Sequence, residues 1–282
     1  MVGIIRAKTA GFCFGVKKAV DKAFEMADPD KKVYTYGPVI HNAEVIKSLS
    51  EKGVRLIESE EELRSLTEGT VILRSHGVPK AIIDLLKDKG IDYVDVTCPF
   101  VKRIHDIVYL ESEKKQIVIA GNPAHPEVEG IMGWCKTPAD VISTEEEAQR
   151  YVPKDGRDVC LVAQTTFNYK KFEKIVEIFE KKSYYVSIVN TICNATANHQ
   201  TEARSIAEGV DAMIVIGDKK SSNSRKLYEI CSEVCPKTEF IQTVSELTLK
   251  QDGSIATVGI TAGASTPNYI IEEVQNYVRR EF

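Results

Sequence analysis

Long apolar runs are missing from this chain of 282 residues. The longest are strand-sized, such as Ala212–Ile216, so no segment is predicted to cross a bilayer. Glycine and proline are sparse, at 17 and 10 residues, which excludes collagen-like and low-complexity character. A basic surplus is also lacking. Lys and Arg number 37 against 41 Asp and Glu, and the net charge of −4 gives no global field for nucleic acid or an anionic membrane. Neither a Walker-type G-x-x-x-x-G-K-S/T loop nor a convincing G-x-G-x-x-G is present, which disfavours a nucleotide ligand. The amino terminus, MVGIIRAKTAGFCFGVKK, shows no apolar stretch of signal-peptide length. A cytoplasmic, reducing setting is therefore expected, where cysteines serve metals or catalysis more often than disulfides.

What is present suits a soluble globular chain. Hydrophobic residues make up 43% and charged residues 28%, enough for a core, and the length fits one large domain or two to three small ones. Short β-branched runs (Val33–Tyr36, Gln116–Ala120, Val159–Ala163, Ala212–Ile216) alternate with amphipathic stretches such as Tyr169–Lys181 and Asn268–Arg280. That alternation predicts βαβ units and parallel sheets with right-handed crossovers.

The pattern repeats three times. A strand runs into a cysteine that opens a helix at Cys13, Cys98 and Cys193, in IIRAKTAGFC, YVDVTC and VSIVNTIC. After each cysteine, at offsets of 28, 27 and 28, a strand ends in a polar cluster: His41 in YGPVIHN, His125 in AGNPAHPE, Ser221 in IGDKKSSNS. A strand and acidic helix start follow in VRLIESEEEL, ADVISTEEEA and EFIQTVSEL. A second polar strand end lies at offsets of 63, 67 and 72: His76 in RSHG, Thr165 in AQTTFN, Ser265 in TAGAST. Self-similarity at a period of roughly 90 residues suits a repeated small domain. The expected class is α/β, with three similar domains at 13–97, 98–192 and 193–282. The last would be completed by a strand from 1–12.

In parallel sheets, ligands bind at the carboxyl ends of strands, and every one of these markers sits there. Set about a pseudo-threefold axis, three such domains would bring one cysteine and two polar clusters apiece to one centre. Three distant cysteines match neither a zinc finger nor a ferredoxin run, and they would leave one iron of a cluster open to substrate. From spacing alone, iron, zinc and purely structural cysteines all stay open. His41, His76, His125, Thr165, Thr166, Ser221, Ser222, Asn223 and Ser265 are mostly neutral hydrogen-bonding groups placed before helices, where an anion of diphosphate size fits. A lone Ser or Asn there is ordinarily a plain N-cap, and a lone His a satisfied structural one; recurrence is what speaks for a site. Glu127, two residues after His125, reads equally as a shielded proton donor or as a first-turn acid.

Taken together, GFCFGVKKAV, PVIHN, RSHGVP, DVTCPFVKRIH, HPEVEGIMG, AQTT, NTIC, SSNS and GITAGASTPN resemble the 4-hydroxy-3-methylbut-2-enyl diphosphate reductase family, in order from Cys13 to Asn268. The resemblance implies three α/β domains around a central 4Fe–4S cluster held by Cys13, Cys98 and Cys193. Its open iron would bind the substrate hydroxyl. It further implies reductive loss of that hydroxyl through an allyl-type intermediate, giving isopentenyl and dimethylallyl diphosphate in the last step of the methylerythritol phosphate route. Glu127 would supply the proton with His125 and Thr165 assisting, while His41, His76, His125, Thr165, Ser221, Ser222, Asn223 and Ser265 would hold the diphosphate. Ferredoxin or flavodoxin would donate electrons; neither nucleic acid nor membrane is an expected partner. NATANHQ after Cys193 departs from the family's usual Asp, Gln and Arg, at Asn194, Ala197 and His199.

Two other classes compete. His125-Pro126-Glu127 has the H-x-E of zinc deaminases or hydrolases, but no P-C-x-x-C follows. A cluster-based redox sensor binding a diphosphate would need an effector domain, and no segment remains for one. Cys135, Cys160, Cys231 and Cys235 read best as buried packing.

Overall fold

A computed structural model describes residues 2–251 and 253–282. β1 (Gly3–Arg6) leads to α1 (Phe14–Met26). Then come β2 (Val33–Tyr36), α2 (Ala43–Glu51), β3 (Val54–Ile57), α3 (Glu60–Ser65), β4 (Thr70–Leu73), α4 (Lys80–Asp88) and β5 (Asp92–Asp95). The middle of the chain forms α5 (Pro99–Glu111), β6 (Gln116–Ala120), α6 (Pro126–Met132), β7 (Asp140–Ile142), α7 (Glu145–Arg150), β8 (Val159–Ala163), α8 (Tyr169–Glu180) and β9 (Val186–Ile188). Last are α9 (Asn194–Ala207), β10 (Ala212–Ile216), α10 (Ser222–Ser232), β11 (Thr238–Ile241), β12 (Thr257–Ala262) and α11 (Asn268–Glu281).

The strands form three four-stranded sheets with one shared topology, β3-β2-β4-β5, β7-β6-β8-β9 and β11-β10-β12-β1. Every pairing is parallel. This is the α/β class with parallel sheets that the alternation predicts. β1 takes the outer place that β5 and β9 hold elsewhere, pairing with β12 from Gly3↔Thr257 to Arg6↔Ile260.

The chain divides into two compact units. One comprises Met1–Lys17, His41–Ala43 and Cys193–Phe282, and holds the β11-β10-β12-β1 sheet. The other comprises Lys18–Ile40 and Glu44–Ile192, and holds the remaining two sheets.

Helices cover both faces of a parallel sheet, so its inner strands read as unbroken apolar runs. QIVIA, VCLVA and AMIVI are buried at every position. Along β6, alternate residues serve two cores. Val118 and Ala120 pack with Phe172, Ile175 and Phe179 of α8, whereas Ile117 and Ile119 pack with Ile104 and Val108 of α5 and Val128 and Ile131 of α6. Each such Val, Ile or Phe side chain contributes about 1.5–3 kcal/mol by leaving water. In the other unit, α11 packs Ile270, Ile271 and Val274 on one face, and α9 and α10 pack Ala203 and Leu227 on the other.

One expectation needs correcting. The third strand and acidic helix start, EFIQTVSEL, yields only a single 3-10 turn at Val244–Glu246. In the other two copies, Ser59 and Thr144 accept from the amides of Glu62 and Glu147, and three glutamates follow each cap. Thr243 instead bonds Ser245, and only Glu246 opposes the helix dipole, so nothing sustains a full helix there.

Candidate functional site

In the unit holding β2–β9, the strand ends place a buried carboxyl group. His125 caps α6, its Nδ1 accepting from the Glu127 amide at 3.1 Å, while Pro126 occupies the first turn. A neutral His125 ring then carries its proton on Nε2. The cap turns Glu127 inward, where it is 2% exposed. The end of β8 supplies both its hydrogen bonds: the Thr165 amide donates to Oε1 at 2.6 Å and the Thr165 hydroxyl to Oε2 at 2.7 Å. Burial pushes the Glu127 carboxyl up to about 7, outweighing the downward pull of the two Thr165 bonds. Glu127 is thus a carboxyl group shielded from solvent. Glu129, two residues on, is the exposed first-turn acid.

The His76 ring lies edge-on to His125, with centroids 5.5 Å apart. His76 is half-buried on the loop between β4 and α4, and Ser75 anchors that loop by donating its amide and hydroxyl to the Val39 carbonyl at 3.0 and 2.8 Å. The structure thus brings together His76, His125, Glu127 and Thr165. Thr166 is half-buried beside Thr165, its hydroxyl accepting from Gln164 Nε2.

In the other unit, the ends of β10 and β12 meet at serines. Ser221 caps α10, and its hydroxyl oxygen receives bonds from Ser224 Oγ at 3.0 Å and Ser265 Oγ at 3.3 Å. Ser222 is half-buried at the start of the helix. Asn223 is 4% exposed, and neither atom of its side-chain amide has a hydrogen-bond partner among the described residues. A buried amide left open costs about 1–3 kcal/mol. Gly217 and Gly263 end the two strands here. A Cβ on either would collide with the Ser224 hydroxyl, so only glycine lets the serine turn approach the strands. His41 is half-buried and opens the short segment His41–Ala43 of this unit.

The three repeat cysteines occupy equivalent backbone positions. Each directly precedes a helix, and its carbonyl accepts the first helical bond, from Lys17, Lys102 and Ala197 at 2.9, 3.0 and 3.0 Å. The Cys98 amide donates to Ser75, one residue before His76, and the Cys13 amide donates to Ala264, one residue before Ser265. Backbone hydrogen bonding therefore ties a cysteine to a polar strand end in each unit. All three are half-buried, and none of the seven cysteines is in a disulfide. The other four pack in apolar cores. Burial pushes the thiols of Cys135 and Cys231 up to about 12 and that of Cys160 to about 11, which makes them inert.

Gln164 and Arg74 fall outside the residues singled out from sequence, and Ser224, read there with its neighbours in SSNS as a phosphate-wrapping run, here serves packing. Gln164 accepts from the Asn122 amide at 3.1 Å and braces the loop before His125. Ser224 fills the gap between two strand ends. Arg74, 9% exposed, lies two residues before His76 and donates to the Gly77 carbonyl. An arginine ending the apolar strand TVIL was the available signal for the last.

Comparison with known proteins gives one answer. A curated 4-hydroxy-3-methylbut-2-enyl diphosphate reductase of Thermoanaerobacter sp. is 46% identical over 280 residues, covering 98% of this chain and 96% of its own. A solved (E)-4-hydroxy-3-methyl-but-2-enyl diphosphate reductase, described as the terminal enzyme of the non-mevalonate pathway, is 41% identical. It superposes with a TM-score of 0.68 over 99% of this chain and 100% of its own. The E-1-hydroxy-2-methyl-but-2-enyl-4-diphosphate reductase of Plasmodium falciparum is 25% identical and gives 0.89, over 99% and 87%. The LytB protein family matches residues 4–279, and the chain belongs to it.

Proposed function

We propose that this protein reduces (E)-4-hydroxy-3-methylbut-2-enyl diphosphate to isopentenyl and dimethylallyl diphosphate. The observation that carries the reading is Glu127, a wholly buried carboxyl group held by Thr165 and shifted to about 7, where it can give up a proton near neutral pH. The overall change is loss of the allylic hydroxyl as water, with uptake of two electrons and two protons. One proton leaves with the hydroxyl and the other goes to carbon.

An iron–sulfur cluster fits the donor set. Three soft thiol ligands stand half-buried at matched strand ends, and the adjoining helix N-termini favour a negatively charged group. Cys13, Cys98 and Cys193 would hold it, and it would supply electrons and a Lewis-acidic iron to the substrate. Ser221, Ser222, Asn223 and Ser265 offer hydroxyl and amide groups to the diphosphate, and His41, His76 and His125 add ring nitrogens. Gripping that remote end orients the alcohol, so binding energy is spent on alignment at the reacting carbon. Thr165 fixes the carboxyl of Glu127 in one rotamer, so the proton is delivered from a fixed position. Electrons would come from a ferredoxin- or flavodoxin-like donor in the cytoplasm.

Among the described residues, no helix is long and apolar enough to cross a membrane. The deciding experiment is anaerobic purification with iron and sulfide analysis, then assay of the allylic diphosphate with a chemical reductant. About four iron and four sulfide per chain are expected, with consumption of the substrate. A colourless zinc protein, or an iron protein that leaves the substrate intact, would overturn the reading.

A further inference from the structure

We infer that Arg74 is a positioning residue for this reaction, its guanidinium locking the loop that carries His76 to the helix that carries Glu127. The inference rests on the function proposed above.

The guanidinium reaches three segments at once. Its Nε donates to the Gly77 carbonyl at 3.1 Å, closing the loop around His76. Its Nη2 donates to Glu129 Oε2 at 3.2 Å, on the same first turn of α6 as Glu127. On its third side it lies against Gly37, where a Cβ would stand 2.8 Å from Nη1, and its centre is 5.8 Å from the Tyr36 ring. Gly37 has a φ of +68°, so this turn needs glycine both for its backbone and for the room it leaves the arginine.

A planar fork with donors in several directions can make these contacts together, whereas a single ammonium cannot. Burying this charge is costly, because its carboxylate partner Glu129 stays 62% exposed while the Arg74 side chain is only 11% exposed. Packing alone would be served by an apolar side chain at this strand end. The far end of α6 is fastened separately: Trp134 Nε1 donates to the Val78 carbonyl at 3.0 Å and the Lys80 amide to the Gly133 carbonyl at 3.3 Å. Arg74 thus fastens the end where His76 and Glu127 lie, beside the edge-on contact of His76 with His125.

The test compares Arg74→Gln, Arg74→Lys and Glu129→Gln holoenzymes, prepared anaerobically. Readouts are kcat and KM for the allylic diphosphate, the calorimetric Kd for inorganic diphosphate, and iron content. Both Arg74 variants should raise KM and the diphosphate Kd about tenfold, and Glu129→Gln about threefold, with iron content unchanged. Wild-type KM and Kd in a folded Arg74→Gln protein would overturn the role. So would full recovery in Arg74→Lys, since charge alone would then suffice. If the Arg74 variants do not fold, the exposed Glu129→Gln decides, and an unchanged KM there overturns the inference. An iron-loaded wild type that ignores the allylic diphosphate overturns the proposed function instead; an active wild type with indifferent variants overturns only the role of Arg74.

Discussion

Thr165 gives both its backbone amide and its hydroxyl to the one carboxyl group of Glu127, at 2.6 and 2.7 Å. Two donors to a carboxylate lower its pKa, and burial raises it; here burial wins, leaving the group near 7.

With Glu127 as the proposed proton donor, that balance should set the pH dependence of turnover. A donor must be protonated, so kcat/KM should fall as pH rises through about 7, by about tenfold per unit. Thr165→Val removes a bond that favours the charged form, so the falling limb should move to higher pH by about one unit. Glu127→Gln should abolish the limb, keep substrate binding and lower turnover by ~10²–10⁴. Wild-type turnover in Glu127→Gln would remove this residue from the acid role.

The cysteines should separate cleanly into two groups. Cys13→Ser, Cys98→Ser and Cys193→Ser should each lose iron and activity. Cys231→Ser should keep both, because Cys231 is fully buried in an apolar cluster with its thiol pushed up to about 12. Equal loss of iron from Cys231→Ser would overturn the ligand assignment.

Asn223 should tell ligand binding from stability. Its buried amide has no partner among the described residues, so the fold gains no hydrogen bond from it. Asn223→Ala should therefore raise KM for the diphosphate by about tenfold or more while leaving the melting temperature unchanged or higher. A fall in melting temperature with unchanged KM would mean the amide serves the fold.

Much of this was legible in the sequence, and for physical reasons. Strands buried on both faces must be apolar throughout, so QIVIA, VCLVA and AMIVI announce themselves. Ligand-binding positions in parallel sheets follow strands, so Glu127, Thr165 and Ser221 could be picked by place as well as by type. Two things were hidden. The weak acidic run after β11 looked like its two counterparts, although its cap and charges could not sustain a helix. The fit of Arg74 beside Gly37 and of Ser224 beside Gly217 and Gly263 was the other, because an arginine after an apolar strand and a serine in a polar run show the residue types but not the space that they fill.

His105 makes the stability of the fold pH-dependent with a definite sign. Its ring is 4% exposed, stacks on Trp134 at 5.0 Å, and leaves Nε2 without a partner among the described residues. Desolvation is the main cause of its pKa falling from 6.5 to about 4; Lys102 also lowers it, against the pull of Asp95. The folded chain therefore holds fewer protons at this site than the unfolded chain between pH 6.5 and 4. The stability it contributes is complete above 6.5 and drains away as pH falls toward 4, by on the order of 3 kcal/mol. His105→Gln cannot titrate, so the drop in melting temperature between pH 7 and 4.5 should be smaller in that variant than in wild type. An identical drop in both would show that His105 is not held neutral in the fold.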